Sequence, residues 1–279
     1  MSSTDHPTKA ARRDEARQAA LALRAQQERV ARRNRLIAII AAAAVLIGFA
    51  VLVVVILNQD GDEEVPQAAQ VQPPYAADNG GGVVMDADGI VTPPSDAPED
   101  WPVGAFGDAV VVTVYSDPIC PWCGVFEAQA MPILDEMRLA GEVVIDHRVV
   151  GNLDSYSAGT RYSTRAAQAL YTVADLAPEA YLEFEAALFA NQPEENTPGL
   201  TDEEIANIAI DAGVPSAAVD AIAEGTYTWW VGQVTDAARE RYDGRLATPA
   251  VRLNGEPLGD TVDWRDEAAL RQAIEDARG

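Results

Sequence analysis

The residues best suited to chemistry in this chain are its two cysteines, Cys120 and Cys123, which enclose the dipeptide Pro121-Trp122. They are the only cysteines among 279 residues, so they cannot build a framework of several disulfides. An apolar, β-branched run ends just before them, and a helical pattern follows them. A Cys-x-x-Cys pair between a strand and a helix is typical of a redox dithiol.

The order of these four residues predicts a role for each. Cys120 is expected at the N-terminus of the helix, where free backbone N–H groups and the helix dipole stabilise a thiolate and lower the thiol pKa. Cys123 falls in the first turn and is expected to be the buried, resolving thiol. Pro121 suits that turn because its missing N–H costs little there. Trp122 has no titratable group and is expected to tune access and packing.

A zinc site is the alternative reading of a Cys-x-x-Cys pair. Zinc usually takes four protein ligands in such sites, and the chain has only two histidines, His6 and His147, far apart in sequence. We therefore expect no metal and no cofactor. His147 alternates with apolar residues along a predicted strand, so we expect it to be structural.

The elements around the dithiol follow an α/β pattern. Ala109–Tyr115 and Glu142–Val150 are predicted strands, and the helical pattern between them predicts a β-α-β unit with parallel strands. Residues 152–244 lack a convincing strand and are expected to form several helices. The sheet resumes just before Asn254-Gly255, a strong hairpin-turn signal.

This arrangement resembles the DsbA-like branch of the thioredoxin superfamily. The resemblance rests on Cys120-Pro121-Trp122-Cys123 after a strand, on the helical insertion, and on Thr248-Pro249 before a late strand. It covers residues 106–279 and implies a thioredoxin-like fold with a helical insertion at about 152–244. It also implies that the peptide bond before Pro249 is cis and that Pro249 lies against the cysteines. Thr248 would offer backbone groups to an extended substrate peptide.

The chain departs from this family at one acidic position. Related proteins often carry a carboxylate six residues before the first cysteine, where this chain has Val114. A proton relay through that position is therefore not expected. Asp117 and Glu127 are the acidic residues nearer in sequence, and both are expected at the surface.

The N-terminal part predicts a membrane anchor. Residues 36–57 are 22 residues without a charge or a proline, enough to span a ~30 Å hydrocarbon core at ~1.5 Å per residue. The segment 1–35 is basic and acidic residues follow the span, so the positive-inside rule places the N-terminus in the cytoplasm. A cleaved signal peptide is the alternative, but the length of the apolar run favours an uncleaved, single-pass anchor.

Residues 58–105 have the composition of an extended or disordered linker, rich in proline, glycine and acidic residues. Two short apolar runs within it flank Asp86-Ala87-Asp88 and predict a hairpin or edge strand near residues 82–92. The thioredoxin-like domain is predicted to follow over residues 106–279.

The charge distribution excludes one class of partner. The net charge is −24, yet residues 1–35 contain nine basic and four acidic residues, a net +5. The remaining 244 residues carry 40 acidic residues against 11 arginines, a net −29. A surface this acidic argues against binding of nucleic acid by the C-terminal part of the chain.

Together these features predict a membrane-anchored thiol-disulfide oxidoreductase that acts outside the cytoplasm, where disulfides persist. The expected substrates are cysteine-containing secreted or cell-surface proteins. The family resemblance implies reoxidation by a membrane protein of DsbB or VKOR type. Two alternatives stay open: a disulfide reductase or isomerase of the same fold, for instance in cytochrome maturation, and a non-catalytic chaperone that binds peptides.

Overall fold

The computed structural model describes residues 70–76, 81–98, 101–259 and 261–278. These residues all belong to one compact unit, Val65–Gly279. The predicted basic segment 1–35 and the predicted transmembrane helix 36–57 lie outside them. Among the residues described, no helix combines the length and the apolar character needed to cross a membrane.

A mixed sheet forms the centre of this part of the chain, with strands in the spatial order β2-β1-β4-β3-β5-β6. The strands are β1 (Val83–Asp86), β2 (Gly89–Ile90), β3 (Val110–Ser116), β4 (Val143–Val149), β5 (Ala250–Leu253) and β6 (Glu256–Pro257). β3 and β4 are parallel, with Val110 opposite Val143 and Ser116 opposite Val149. The neighbouring pairs are antiparallel. The predicted parallel β-α-β unit is therefore confirmed.

Helices cover the sheet and fill the long connection between β4 and β5. The helices are α1 (Pro121–Gln129), α2 (Met131–Leu139), α3 (Tyr162–Leu176), α4 (Tyr181–Ala190), α5 (Asp202–Asp211), α6 (Ser216–Glu224), α7 (Thr228–Arg241) and α8 (Glu267–Ala277). α1 and α2 connect β3 to β4, whereas α3 to α7 form the helical insertion before β5. The predicted mixed α/β class is confirmed.

β3 is one of the two middle strands of the sheet and is buried along its whole length. Val110, Val112 and Val114 face the main core, which includes residues of the surrounding helices. Val111 faces the opposite side and packs in a second apolar cluster with Trp101. A strand covered on both faces needs apolar residues at successive positions rather than alternating ones. The loop that carries the cysteines follows directly from this buried strand.

The hairpin between β5 and β6 turns at Asn254-Gly255, as predicted. Both residues have positive φ angles, 46° and 83°, which this turn requires and which asparagine and glycine tolerate best. The Asn254 side chain also accepts a hydrogen bond from the backbone N–H of Val111 at 2.9 Å. Its amide group donates to the carbonyl oxygen of Ala277 at 2.9 Å. The turn therefore ties β3, β5 and the end of α8 together.

Part of the predicted linker, residues 58–105, packs into the folded unit. Tyr75 and Ala76 are buried in the main core, and the Tyr75 hydroxyl donates to the carbonyl oxygen of Tyr171 at 2.7 Å. Trp101 is also buried. At the position of the predicted first strand, β1 and β2 form a hairpin, and β1 pairs with β4 inside the sheet. A few large apolar side chains are enough to anchor a segment whose average composition is polar.

Candidate active site

The dithiol lies where the loop after β3 enters α1. Cys120 is the N-cap residue of α1, with Pro121 in the first helical position and Cys123 in the first turn. The Cys120 carbonyl oxygen accepts hydrogen bonds from the backbone N–H groups of Cys123 at 3.0 Å and Gly124 at 3.3 Å. The predicted placement of Cys120 at a helix N-terminus is confirmed.

The second wall of the site comes from the residues just before β5. The peptide bond between Thr248 and Pro249 is cis, as the family resemblance implied. The Sγ of Cys120 lies 3.1 Å from the carbonyl oxygen of Thr248 and donates to it in the thiol form. The fold thus brings together two short segments that are 128 residues apart in sequence.

The two cysteines have opposite acidities. A hydrogen bond from Cys123, assisted by Thr248 and the backbone N–H groups of Cys123 and Trp122, lowers the pKa of Cys120 to about 6. Burial disfavours the Cys120 thiolate, but the hydrogen bonds outweigh it. Burial, together with the neighbouring Cys120, raises the pKa of Cys123 well above its usual range. These opposite shifts favour a thiolate at Cys120 and a thiol at Cys123 near neutral pH.

Access to the dithiol is narrow. Cys120 is 5% exposed and Cys123 is 2% exposed, and they form one apolar cluster with Phe189, against which Leu153 packs. Trp122, between them in sequence, is 56% exposed. Cys120 is therefore the more exposed of the two cysteines, and Trp122 presents a large apolar surface next to it in sequence.

Asp117 is buried, so its predicted surface position is wrong. One carboxylate oxygen accepts from the backbone N–H of Ile119 at 3.1 Å and the hydroxyl of Ser163 at 2.6 Å. The other oxygen accepts from the backbone N–H of Leu153 at 2.8 Å. The backbone N–H of Asp117 itself donates to the Sγ of Cys123 at 3.4 Å. Asp117 therefore joins the dithiol loop to the helical insertion.

Burial raises the pKa of Asp117 to about 7, even though its three hydrogen bonds favour the ionised form. A local signal for this role was available in the sequence. Aspartate before proline often binds a backbone N–H two residues on, as Asp117 does with Ile119. The contacts with Leu153 and Ser163 depend on the fold and had no such signal.

A second buried polar cluster lies further along α1. Glu127 is half-buried, not at the surface as predicted, and burial next to Glu185 raises the pKa of Glu127 well above its usual range. Glu185, on α4, is fully buried, with its Oε1 2.8 Å from the Nδ1 of His147. The Nε2 of His147 lies 2.5 Å from the Oγ of Ser116. This cluster joins α1, α4, β4 and the end of β3.

The order Ser116, His147, Glu185 has the contacts of a nucleophile, a base and an orienting acid. All three side chains are buried, so a substrate cannot reach the hydroxyl. His147 is also 2.7 Å from the hydroxyl of Tyr181. It is structural, as expected, but its polar partners come from other elements of the fold.

The fold and the dithiol define a redox protein of thioredoxin type, and comparison with known proteins agrees. The family model described as Thioredoxin matches residues 97–276, and the chain belongs to this family. It is similar to the reduced crystal structure of DsbA from Mycobacterium tuberculosis, with 32% identity and a TM-score of 0.54, covering 71% of this chain and 92% of that one. The chain is a DsbA-like thiol-disulfide oxidoreductase.

Two further structures extend this similarity. The reduced disulfide bond oxidoreductase DsbG from M. tuberculosis is 32% identical, with a TM-score of 0.54, covering 71% of this chain and 87% of that one. BdbD from Bacillus subtilis shares the fold at 19% identity, with a TM-score of 0.51, covering 74% of this chain and 97% of that one.

Among curated proteins, the chain is similar to the serine/threonine-protein kinase PknE of M. tuberculosis. The two are 32% identical over 127 residues, which cover 44% of this chain. The chain spans only 22% of the length of these curated relatives.

Proposed function

We propose that this protein oxidises pairs of thiols in secreted or cell-surface proteins, with Cys120 and Cys123 as its catalytic residues. The observation that carries the proposal is the thiolate site at Cys120, where hydrogen bonds from the Cys123 thiol, the Thr248 side chain and the backbone N–H groups of the first helical turn outweigh the effect of burial. A site that stabilises the thiolate stabilises the reduced protein, so the disulfide becomes a stronger oxidant.

The exchange begins with the oxidised protein, in which Cys120 and Cys123 form a disulfide. A substrate thiolate attacks the Sγ of Cys120, a mixed disulfide forms, and the Cys120–Cys123 bond breaks. Cys123 leaves as a thiolate and takes up a proton, because its burial disfavours the charged form.

A second substrate thiol then loses its proton and attacks the substrate sulfur of the mixed disulfide. The bond to Cys120 breaks, and its electron pair stays on Cys120 as a thiolate. Two electrons have passed from the substrate to the protein. Cys123 holds one proton, and the solvent receives the other.

The residues around the dithiol support substrate binding in this reaction. The Thr248 carbonyl lies beside Cys120, so an extended substrate backbone passing Thr248 and Pro249 would bring its own sulfur close to that cysteine. Trp122 offers an exposed apolar surface to the substrate chain. Pro121 fixes the first turn of α1 below it.

We place the reaction outside the cytoplasm, on a membrane-anchored protein. The support is the apolar run at residues 36–57, with basic residues before it and acidic residues after it. A membrane protein of DsbB or VKOR type would restore the Cys120–Cys123 disulfide by accepting two electrons. The location is tested by labelling the reduced protein in intact cells with a membrane-impermeant maleimide, which should react with it without lysis.

The direction of electron flow is tested by the reduction potential of the full chain, measured by equilibration with glutathione. An oxidant should lie near the ~−120 mV of strong disulfide oxidases, and a value near the ~−270 mV of thioredoxin would assign the protein to the reductases. Activity on a scrambled disulfide substrate would instead identify an isomerase. Undiminished function in Cys120→Ala would identify a chaperone.

Substrates are identified with a Cys123→Ala variant, which lacks the resolving thiol and should accumulate mixed disulfides on Cys120. The matched control is the variant that also carries Cys120→Ala. It should trap nothing, because no other cysteine is present in the chain.

A further inference from the structure

One side chain of the helical insertion reaches directly into the dithiol loop. Gln192 follows the end of α4 and is half-buried. Its Nε2 donates to the carbonyl oxygen of Pro118 at 2.9 Å and to that of Cys120 at 2.8 Å. These two carbonyls lie on either side of Ile119, so a single amide group holds both ends of the short segment that leads into Cys120.

The active-site helix leaves room for this amide. A Cβ atom at position 124 would lie 2.6 Å from the Oε1 of Gln192, closer than atoms pack, so the carboxamide occupies space that only glycine provides. The backbone N–H of Gln192 donates to the carbonyl oxygen of Phe189 at 3.2 Å, and Phe189 belongs to the apolar cluster that contains both cysteines. The contact therefore depends both on residues of the insertion and on the glycine in α1.

The position of the amide has an electrostatic consequence. The Cys120 carbonyl oxygen receives three N–H groups, those of Cys123 and Gly124 from α1 and that of Gln192 from the insertion. Each group places the positive end of a dipole beside the residue that carries the thiolate. In a partly buried site such fixed dipoles favour the anion more than they would in water.

We propose that Gln192 is a positioning residue: its carboxamide holds the segment from Pro118 to Cys120 and stabilises the Cys120 thiolate. Through this contact the helical insertion sets how strongly the dithiol oxidises. The inference concerns the thiolate itself and holds for either direction of electron flow, so it stands apart from the proposed function.

The test is the variant Gln192→Ala in the full chain, followed by two measurements that a loss of packing alone would not change. The midpoint of thiolate titration, followed by ultraviolet absorbance, should rise by about half a unit to one unit, because the variant loses the fixed dipole that Gln192 directs at the Cys120 carbonyl and the hold on the segment before it. The equilibrium with glutathione should become about threefold to tenfold less oxidising, because a less stable thiolate is a less stable reduced form.

Gln192→Glu separates electrostatics from shape. At neutral pH the carboxylate has the size of the amide but donates no hydrogen bond, and it repels the thiolate. Its titration midpoint should therefore rise further than that of Gln192→Ala. The matched control is Asn191→Ala, the neighbouring amide, which is exposed and donates to the carbonyl oxygen of Ala187 in α4. This control should titrate like the original chain.

Gly124→Ala tests the same contact from the other side and keeps Gln192 in the chain. The added methyl group should displace the carboxamide and shift the midpoint in the same direction as Gln192→Ala, while alanine favours the helix. In the double variant the two shifts should not add, because both remove one contact. Additive shifts, or lowered melting temperatures with unchanged midpoints, would overturn the proposal.

Discussion

The two ends of α1 have opposite effects on the stability of a negatively charged side chain. At its N-terminus the pKa of the Cys120 thiol is lowered to about 6, so the anion is favoured. Two turns further along the same helix, the pKa of Glu127 is raised, so the anion is disfavoured. Both groups sit in buried or half-buried surroundings.

The difference comes from the partners that each group meets. Cys120 lies among N–H donors of the first helical turn and next to a thiol that donates to it. Glu127 lies beyond that turn, where the backbone N–H groups are already used within the helix, and it faces the carboxyl group of Glu185. Burial opposes both anions, and the donors at the N-terminus decide the outcome there.

The largest effect on stability is expected from removing the buried Asp117 carboxylate, which holds the loop before the N-terminus of α1. Asp117→Ala removes a buried carboxylate and leaves the N–H groups of Ile119 and Leu153 without their partner. We expect a loss of about 3–4 kcal/mol in the free energy of unfolding, measured with urea at neutral pH, because unpaired buried donors are costly.

Asp117→Asn should lose less than Asp117→Ala, since its side-chain oxygen still accepts a hydrogen bond. The matched control is Asp211→Ala at the exposed end of α5, which should change stability by no more than about 0.5 kcal/mol. An equally small loss in Asp117→Ala would show that the carboxylate does not hold the loop.

The next effect is a pH dependence that only the reduced protein shows. The pKa of Cys120 falls from 9.0 in the unfolded chain to about 6 in the folded one. Because the folded value is depressed, the stabilisation is present above pH 9 and is lost as pH falls through about 6. The free energy of unfolding of the reduced form, minus that of the oxidised form, should rise by about 1–2 kcal/mol from pH 6 to pH 8, allowing for solvent screening and staying below the pH at which Cys123 ionises in the unfolded chain.

The oxidised protein is the internal control for this measurement. Asp117 and Glu127 titrate in both forms, so their contributions largely cancel in the difference. A difference between the two forms that stays constant across this pH range would contradict the thiolate at Cys120 and would make the two ends of α1 alike.

The smallest effect on stability is expected near the C-terminal end of α1. Glu127→Gln removes an acid whose folded pKa is raised, so the original chain loses stability as pH rises above the unfolded value of about 4.5. We expect the variant to be about 1 kcal/mol more stable at pH 8 and unchanged at pH 4, by thermal or urea unfolding.

Glu183→Gln, at an exposed position on α4, is the matched control and should change stability by no more than about 0.5 kcal/mol. A loss of stability in Glu127→Gln at pH 8 would mean that the ionised Glu127 is favoured. In that case the helix would stabilise negative charge along its length and not only at its N-terminus.

The sequence by itself determined the features that depend on neighbouring residues. Cys120 and Cys123 could be placed on the first turn of a helix because the strand and the helix flank them directly. The Asn254-Gly255 turn was equally readable, since positive φ angles restrict the residues that fit. The cis bond before Pro249 was expected only from the family resemblance, because proline alone seldom adopts it.

Only the tertiary structure decided which polar groups are buried and which residues they meet. Asp117 binds Leu153 and Ser163 across the start of the insertion, and Gln192 reaches Cys120 from the end of α4. Burial and polar contact depend on which distant segments pack together, and no local pattern of side chains records that packing. The type and spacing of the cysteines could therefore be read from the chain, whereas the acidity of each depends on groups that folding brings to it.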